Sequence, residues 1–231
     1  MTSSLYALSF AAADPARLAT FWGGVFNRTV DGNTVLPSNN QEIPIRFDQL
    51  DDPKVEPNQM HFDTTSTSWD DQKATVEKVL SLGGDHLDVG QLPEELHVVL
   101  QDPEGNEFCV IPPNNNFLKD TARIGAYSSD GSQEVGYFWS AALDWPLVWD
   151  QDEETAIQSP QGGSKISWGG PPFNVRKTKV RQHFDLAPDG EQLAEVDRLV
   201  SLGANQVDAE PCQPGWVAMA DPDGNDFCVT D

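Results

Sequence analysis

Apolar and polar positions along this chain fall into blocks that switch between a period of two and a period near 3.6. The same order of blocks occurs twice. Leu5-Tyr6-Ala7-Leu8-Ser9-Phe10 predicts a short strand, and Asp14-Pro15 supplies a helix N-cap followed by proline at the first helical position. Leu18, Phe21, Trp22, Val25 and Phe26 then recur at helical spacing, predicting a helix that buries one face against a sheet. Segments punctuated by Asp31-Gly32-Asn33 and Pro37-Ser38-Asn39-Asn40, ending in the alternating Ile43-Pro44-Ile45-Arg46-Phe47, predict a three-stranded meander. Residues 49–58 are polar and proline-bearing, which predicts a connecting loop.

A second block of the same kind follows. Gln59-Met60-His61-Phe62-Asp63 predicts a strand with Met60 and Phe62 on one face and His61 and Asp63 on the other. Trp69, Ala74, Val76, Val79, Leu80 and Leu82 suit a helix capped by Gly83-Gly84, with strands near 85–89, 95–101 and 106–111 after it. The second half of the chain repeats the whole order. Phe138-Trp139 answers Phe21-Trp22, His183-Phe184-Asp185 answers His61-Phe62-Asp63, and Ser201-Leu202-Gly203 answers Ser81-Leu82-Gly83.

The clearest echo is Asp102-Pro103-Glu104-Gly105-Asn106-Glu107-Phe108-Cys109-Val110, which returns as Asp221-Pro222-Asp223-Gly224-Asn225-Asp226-Phe227-Cys228-Val229. Asp-Pro-x-Gly is turn chemistry, because proline fixes φ and glycine absorbs the tight exit, and the apolar run behind it predicts a strand carrying a cysteine. Tandem duplication explains the repeat. The expected division is a domain at 1–113, a linker at 114–122 that begins in the Pro112-Pro113-Asn114-Asn115-Asn116 stretch, and a domain at 123–231.

Composition narrows the partners. With 14 Lys and Arg against 37 Asp and Glu, the formal charge of −23 repels phosphate backbones and anionic lipid, so neither nucleic acid nor membrane is expected. The charge is spread over both halves and suits a solvated acidic surface. No run approaches a membrane span, and Met1-Thr2-Ser3-Ser4-Leu5 lacks signal-peptide character, so the expected location is cytoplasmic. Three cysteines, Cys109, Cys212 and Cys228, form no disulfide-scaffold spacing and suit a reducing compartment. There is no glycine-rich phosphate loop, no Gly-x-Ser-x-Gly and no Cys-x-x-Cys, which argues against a nucleotide enzyme, a serine hydrolase and a thioredoxin-like protein.

With Phe-Trp in the first helix, His-Phe-Asp opening the second unit, Ser-Leu-Gly ending its helix and the Asp-Pro-x-Gly-Asn motif at its end, each half resembles the glyoxalase-like domains of the vicinal oxygen chelate superfamily. The resemblance implies an α+β fold of two tandem domains, each of two βαβββ modules forming a curved mixed sheet around a cleft. It implies no single activity, since the superfamily includes isomerases, epimerases, extradiol dioxygenases, thiol transferases and antibiotic-binding proteins. In its metal-using members the ligands come from the first and last strand of each module. Carried over, His61 and His183 match the family's histidine position, whereas Cys109 and Cys228 stand where glutamate is usual. Neither His nor Glu occurs near Ala7 or Ala126 in the opening strands, and the fourth strands offer only Arg46 or Phe47 and Ser167 or Trp168.

A catalytic divalent metal usually takes three protein ligands, and each domain supplies two, so the expected pocket is metal-free and needs no cofactor. Zinc would require recruited help from Asp63 or Asp185, which share the histidine's face. His61 and His183 are the candidate catalytic residues, because histidine titrates near neutrality. Asp63, Asp185, Cys109, Glu107, Cys228 and Asp226 should face the cleft by strand parity, while Phe108 and Val110 pack under the helices. A reactive thiol would need a partner such as His61 beside Cys109. Trp168, before Gly169-Gly170-Pro171-Pro172, is the candidate pocket wall, although Trp145, Trp149, Trp168 and Trp216 suit core packing as well. The basic run Arg176-Lys177-Thr178-Lys179-Val180-Arg181 could steer an anion or be a solvated loop.

The leading expectation is a protein that binds a small organic metabolite or drug. The alternative is a lyase or isomerase with a histidine base or an atypical metal site. A third reading makes one domain a structural partner of the other. Monomer and homodimer are both compatible with the sequence.

Overall fold

The structure, a computed structural model, describes residues 2–92, 94–173, 178, 180–208 and 212–231. In chain order the elements are β1 (Ser3–Ala12), α1 (Pro15–Phe26), β2 (Val30–Asp31), β3 (Thr34–Val35), β4 (Ile45–Gln49), β5 (Met60–Thr64), α2 (Trp69–Ser81), β6 (Asp85–His86), β7 (Val98–Gln101) and β8 (Glu107–Val110). The second half gives β9 (Ile124–Ser129), α3 (Gln133–Leu143), β10 (Leu147–Gln151), β11 (Glu154–Gln158), β12 (Lys165–Trp168), β13 (Gln182–Pro188), α4 (Gln192–Leu202), β14 (Asn205–Gln206), β15 (Val217–Ala220) and β16 (Asp226–Val229). This is the βαβββ order four times over. The cap at Asp14 forms as its sequence predicts, its carboxylate accepting from Arg17 N at 3.1 Å with Pro15 opening the helix.

Two eight-stranded mixed sheets result, and each draws one module from each half of the chain. The first runs β14-β15-β16-β13-β1-β4-β3-β2 and the second β10-β11-β12-β9-β5-β8-β7-β6. Sheet joining is therefore between the repeats, through antiparallel pairing of β1 with β13 and of β5 with β9. The curved mixed sheets of βαβββ modules that the resemblance implies are present, and each joins a module of one repeat to a module of the other. Pairing across repeats leaves no open edge at either module's opening strand, which alternation within a strand cannot reveal.

The inner faces of both sheets meet in one aromatic core. Trp22 of α1 lies 5.1 Å from Phe62 and 4.8 Å from Phe108, both of the other sheet, and Trp139 of α3 lies 5.7 Å from Phe184 and 5.2 Å from Phe227. Phe10, Phe62, Tyr127 and Phe184 continue the contact across the middle. Strand parity then sends every second residue to the opposite, outer face of each sheet. The duplicated motif serves this core. Buried Asp102 accepts from Glu104 N, Asn106 N, Asn106 Nδ2 and Trp22 Nε1, and Asp221 repeats the set with Asp223, Asn225 and Trp139. Each turn is thus pinned to a helix of another module.

The stretch read as a linker is not a detached tether. Leu118 is buried with Ile111 and Ala126, and Phe117 and Cys109 pack against them. Lys165 reaches over the Phe117 ring at 4.3 Å.

Candidate functional site

The outer face of each sheet collects the polar residues that sequence parity assigned to a cleft, together with some it overlooked. In the sheet containing β5, register aligns Trp149, Ala156, Ser167, Ser128 and His61 in one row and Gln158, Lys165, Ala126, Asp63 and Cys109 in the next. His61 Nε2 lies 3.6 Å from Asp63 Oδ1, and donor atoms of His61, Asp63 and Cys109 all lie within 4.8 Å of one another. Ser128 Oγ donates to Asp63 Oδ2 at 2.5 Å and sits 3.2 Å from Ser167 Oγ. This cleft is accessible, with the His61 side chain 40% exposed.

Burial works against a charged imidazole, yet Asp63 and Cys109 hold the His61 proton so firmly that its pKa is pushed up to about 10. The Cys109 thiol is pushed up by burial and by the Asp63 carboxylate, with His61 pulling the other way. The metal-free cleft therefore presents an imidazolium and a protonated thiol at neutral pH. Glu107 shares the outer face but is engaged by Lys54 and accepts from Asn58 N at 3.3 Å.

The sheet containing β13 holds the duplicate constellation in a closed form. Ser9 pairs with His183 and Arg46, and Ala7 with Asp185, which pairs in turn with Cys228. Ser9 Oγ donates to Asp185 Oδ2 at 2.6 Å, and the Arg46 guanidinium donates to the same oxygen at 3.2 Å while gripping Asp48 with two bonds of 3.1 Å. Trp216 lies 4.9 Å from that guanidinium. His183 is 5% exposed and Asp185 is fully buried. Cys228 is joined to Cys212 in a disulfide with Cα atoms 5.7 Å apart.

That disulfide corrects the reading of three free thiols, and with it the argument from cysteine count for a reducing compartment. Its sixteen-residue separation carries no motif, so only the fold brings the two sulfurs together. Trp168, expected as a pocket wall, lines a small inner cavity rather than the accessible outer face. It points inward, 3% exposed, and borders an inter-sheet cavity of about 40 Å³ that Asp226 and His183 also line, with room for about one water. Of the basic run, residues 176, 177 and 179 lie outside the described residues, while Arg181 donates to Asp52 O at 2.9 Å and Ala11 O at 3.2 Å. Sequence reading missed Ser9 and Ser128. The signal available was their shared place two residues after Ala7 and Ala126.

A metal of the kind used across the superfamily does not fit the closed cleft, where Cys228 has no free thiolate and Arg46 already neutralises Asp185. The open cleft does offer an imidazole, a carboxylate and a thiol to one point.

Paired βαβββ modules with polar residues from four central strands on an outer face define a vicinal oxygen chelate protein. The chain belongs to the glyoxalase-like domain family, whose model matches it twice, at residues 7–111 and 126–230. Among solved structures it is similar to glyoxalase I from Zea mays at 14% identity and a TM-score of 0.69, covering 100% of this chain and 92% of that one. A Bacillus subtilis protein provisionally described as a dioxygenase aligns at 11% identity and a TM-score of 0.61, covering 99% and 84%. At these identities the likeness establishes fold. No curated protein sequence matches significantly. Among the described residues no helix is long and apolar enough to cross a membrane.

Proposed function

We propose that this protein binds a small, oxygen-bearing organic molecule on the outer face of the β5 sheet, and that the equivalent β13 face is a structural partner without a ligand. The observation that carries this reading is the contrast between the two duplicate sites. One has its carboxylate paired through Oδ2 with an internal guanidinium and its cysteine tied in a disulfide, whereas the other leaves His61, Cys109 and the Ser128–Ser167 pair on an accessible surface.

His61 would donate a hydrogen bond to a ligand oxygen, since Asp63 keeps it protonated in the metal-free protein. Ser128 and Ser167 add hydroxyls that both donate and accept. Trp149, whose ring meets Phe117 at 6.2 Å, would flank the apolar part of the ligand. Asp63 positions the histidine. The role of His183 as a second catalytic group is not carried into this proposal, because the side chain is sealed from solvent.

The lyase or isomerase reading expected a histidine base; with its proton held by Asp63, His61 would instead act as a general acid towards a developing oxyanion, and the glyoxalase I name of the maize neighbour is consistent with that reading. A thermal-shift screen of oxygenated metabolites and antibiotics against chelator-treated wild type, His61→Ala and His183→Ala tests the proposal. Stabilisation lost in His61→Ala and kept in His183→Ala is expected. The opposite pattern would sink it.

A further inference from the structure

We infer that the Cys212–Cys228 disulfide is a dithiol-reducible latch: it holds a strap, residues 212–216, across the second cleft, and its reduction uncovers the face that carries His183 and Asp185. The inference goes beyond the ligand-binding reading of the β5 face and does not depend on it.

The anchors of the strap define what it crosses. Cys212 is bonded to Cys228 on β16, and the next residue, Gln213, donates through Nε2 to Asp48 Oδ1 on β4 at 3.0 Å. In the order β16-β13-β1-β4 those two strands bracket β13 and β1, the strands of His183, Asp185 and Ser9. Trp216 closes the same side, its ring 4.9 Å from the Arg46 guanidinium and edge-on to Tyr6 at 5.7 Å. The face beneath is sealed: the His183 side chain is 5% exposed, against 40% for the matching His61. The other repeat cannot form this bond. Cys109 is free, and Cys212, five residues before β15, is answered by Pro93, five residues before β7.

The two sulfurs differ in access. Cys212 is half-buried and Cys228 fully buried, so an external thiolate meets Cys212 Sγ first. Its attack forms a mixed disulfide at Cys212 and expels Cys228 as a thiolate, which takes up one proton. The second thiol of the reductant then displaces Cys212 and closes the reductant's own disulfide, so the dithiol loses two electrons and two protons and both cysteines end as thiols. The far end of the strap stays tied, with Gly215 O accepting from Gln192 Nε2 at 3.0 Å and Trp216 Nε1 donating to Asp231 Oδ1 at 3.2 Å. The end that moves is therefore Cys212–Gln213, left with one hydrogen bond to the partly solvated Asp48 carboxylate, for which water competes. Opening also relieves a cost. Asp185 Oδ1 is buried without a hydrogen-bond partner, although His183 Nε2 lies 3.3 Å away, and an unsatisfied carboxylate oxygen is unfavourable until water reaches it.

The test uses the full chain in native buffer, oxidised or treated with dithiothreitol, with circular dichroism to follow the fold and diethyl pyrocarbonate labelling of histidines read by peptide mass. His183 labelling should rise about 10-fold or more on reduction, because access to a buried group is limited by local opening, while His61 labelling stays the same. Cys212→Ser should label like the reduced protein with or without dithiol. A monothiol, which cannot resolve the mixed species, should be found on Cys212. A bond that resists dithiothreitol in the folded protein, His183 labelling that stays low after complete reduction, or a monothiol adduct on Cys228 would overturn the inference. Unfolding of the whole chain on reduction or in Cys212→Ser would overturn it as well, since the bond would then be a staple of the fold and not a latch. None of these outcomes bears on ligand binding at His61.

Discussion

The indole Nε1 of Trp22 donates to Asp102 Oδ2 at 3.2 Å, joining the first helix to a turn 80 residues later and on the other sheet. Asp102 also accepts two backbone N–H groups and the Asn106 amide, so one buried carboxylate organises the turn, the helix and the strand that carries Cys109. Hydrogen bonds to a charged acceptor contribute about 1.5–3 kcal/mol each, and several would be lost together. Asp102→Ala is expected to destabilise by about 3 kcal/mol or more in urea unfolding. Trp22→Phe, which keeps most of the apolar volume and removes one donor, should cost about 1–3 kcal/mol.

Asp221 makes the same junction in the second half, and burial pushes its carboxyl up to about 6 against the bonds from Asn225 and Trp139. A raised pKa means that the folded state holds the proton more tightly than the unfolded chain does. The contribution is fully present below the unfolded value near 3.8 and is lost as pH rises through 6. Wild type should therefore lose stability relative to Asp221→Asn between about pH 4 and 7, by at most about 3 kcal/mol. Urea melts of both proteins across that range check the sign. A difference that does not change with pH would contradict it.

In the closed cleft, Arg46 neutralises an Asp185 carboxylate that has no solvent contact. Removing one partner strands a buried charge, so Arg46→Ala should cost about 3–5 kcal/mol. Arg46→Ala combined with Asp185→Asn should recover part of that loss, which a double-mutant cycle measures. Ser167→Ala, at the matching position of the open cleft, should stay within about 1 kcal/mol, since its hydroxyl is partly solvated.

The Cys212–Cys228 bond closes a loop of sixteen residues beside the same cleft. Cross-links over loops of that length stabilise by about 3 kcal/mol. Cys212→Ser, or wild type in excess dithiol, should lower the urea midpoint accordingly. Thiol titration of the denatured protein should find one thiol before reduction and three after it, because Cys109 is free.

The sequence by itself determined the elements and the repeat. Helical spacing of Leu18, Phe21, Trp22 and Val25, the cap at Asp14, and the alternation of Met60, His61, Phe62 and Asp63 are local properties, read one segment at a time, and the structure reproduces them. The same parity placed His61, Asp63, Glu107 and Cys109 on one face. What the tertiary structure decided is long-range. Which modules share a sheet depends on pairing between β1 and β13, whose partners such as Phe10 and Gln182 are far apart in the chain, and nothing in the alternation of either strand encodes its partner. That pairing brings Ser9 and Arg46 onto Asp185, Ser128 onto Asp63, and Cys212 onto Cys228. Two copies of one motif, nearly equal in sequence, become one sealed cleft and one open cleft because the residues that differ around them, Arg46 against Ser167 above all, lie on neighbouring strands.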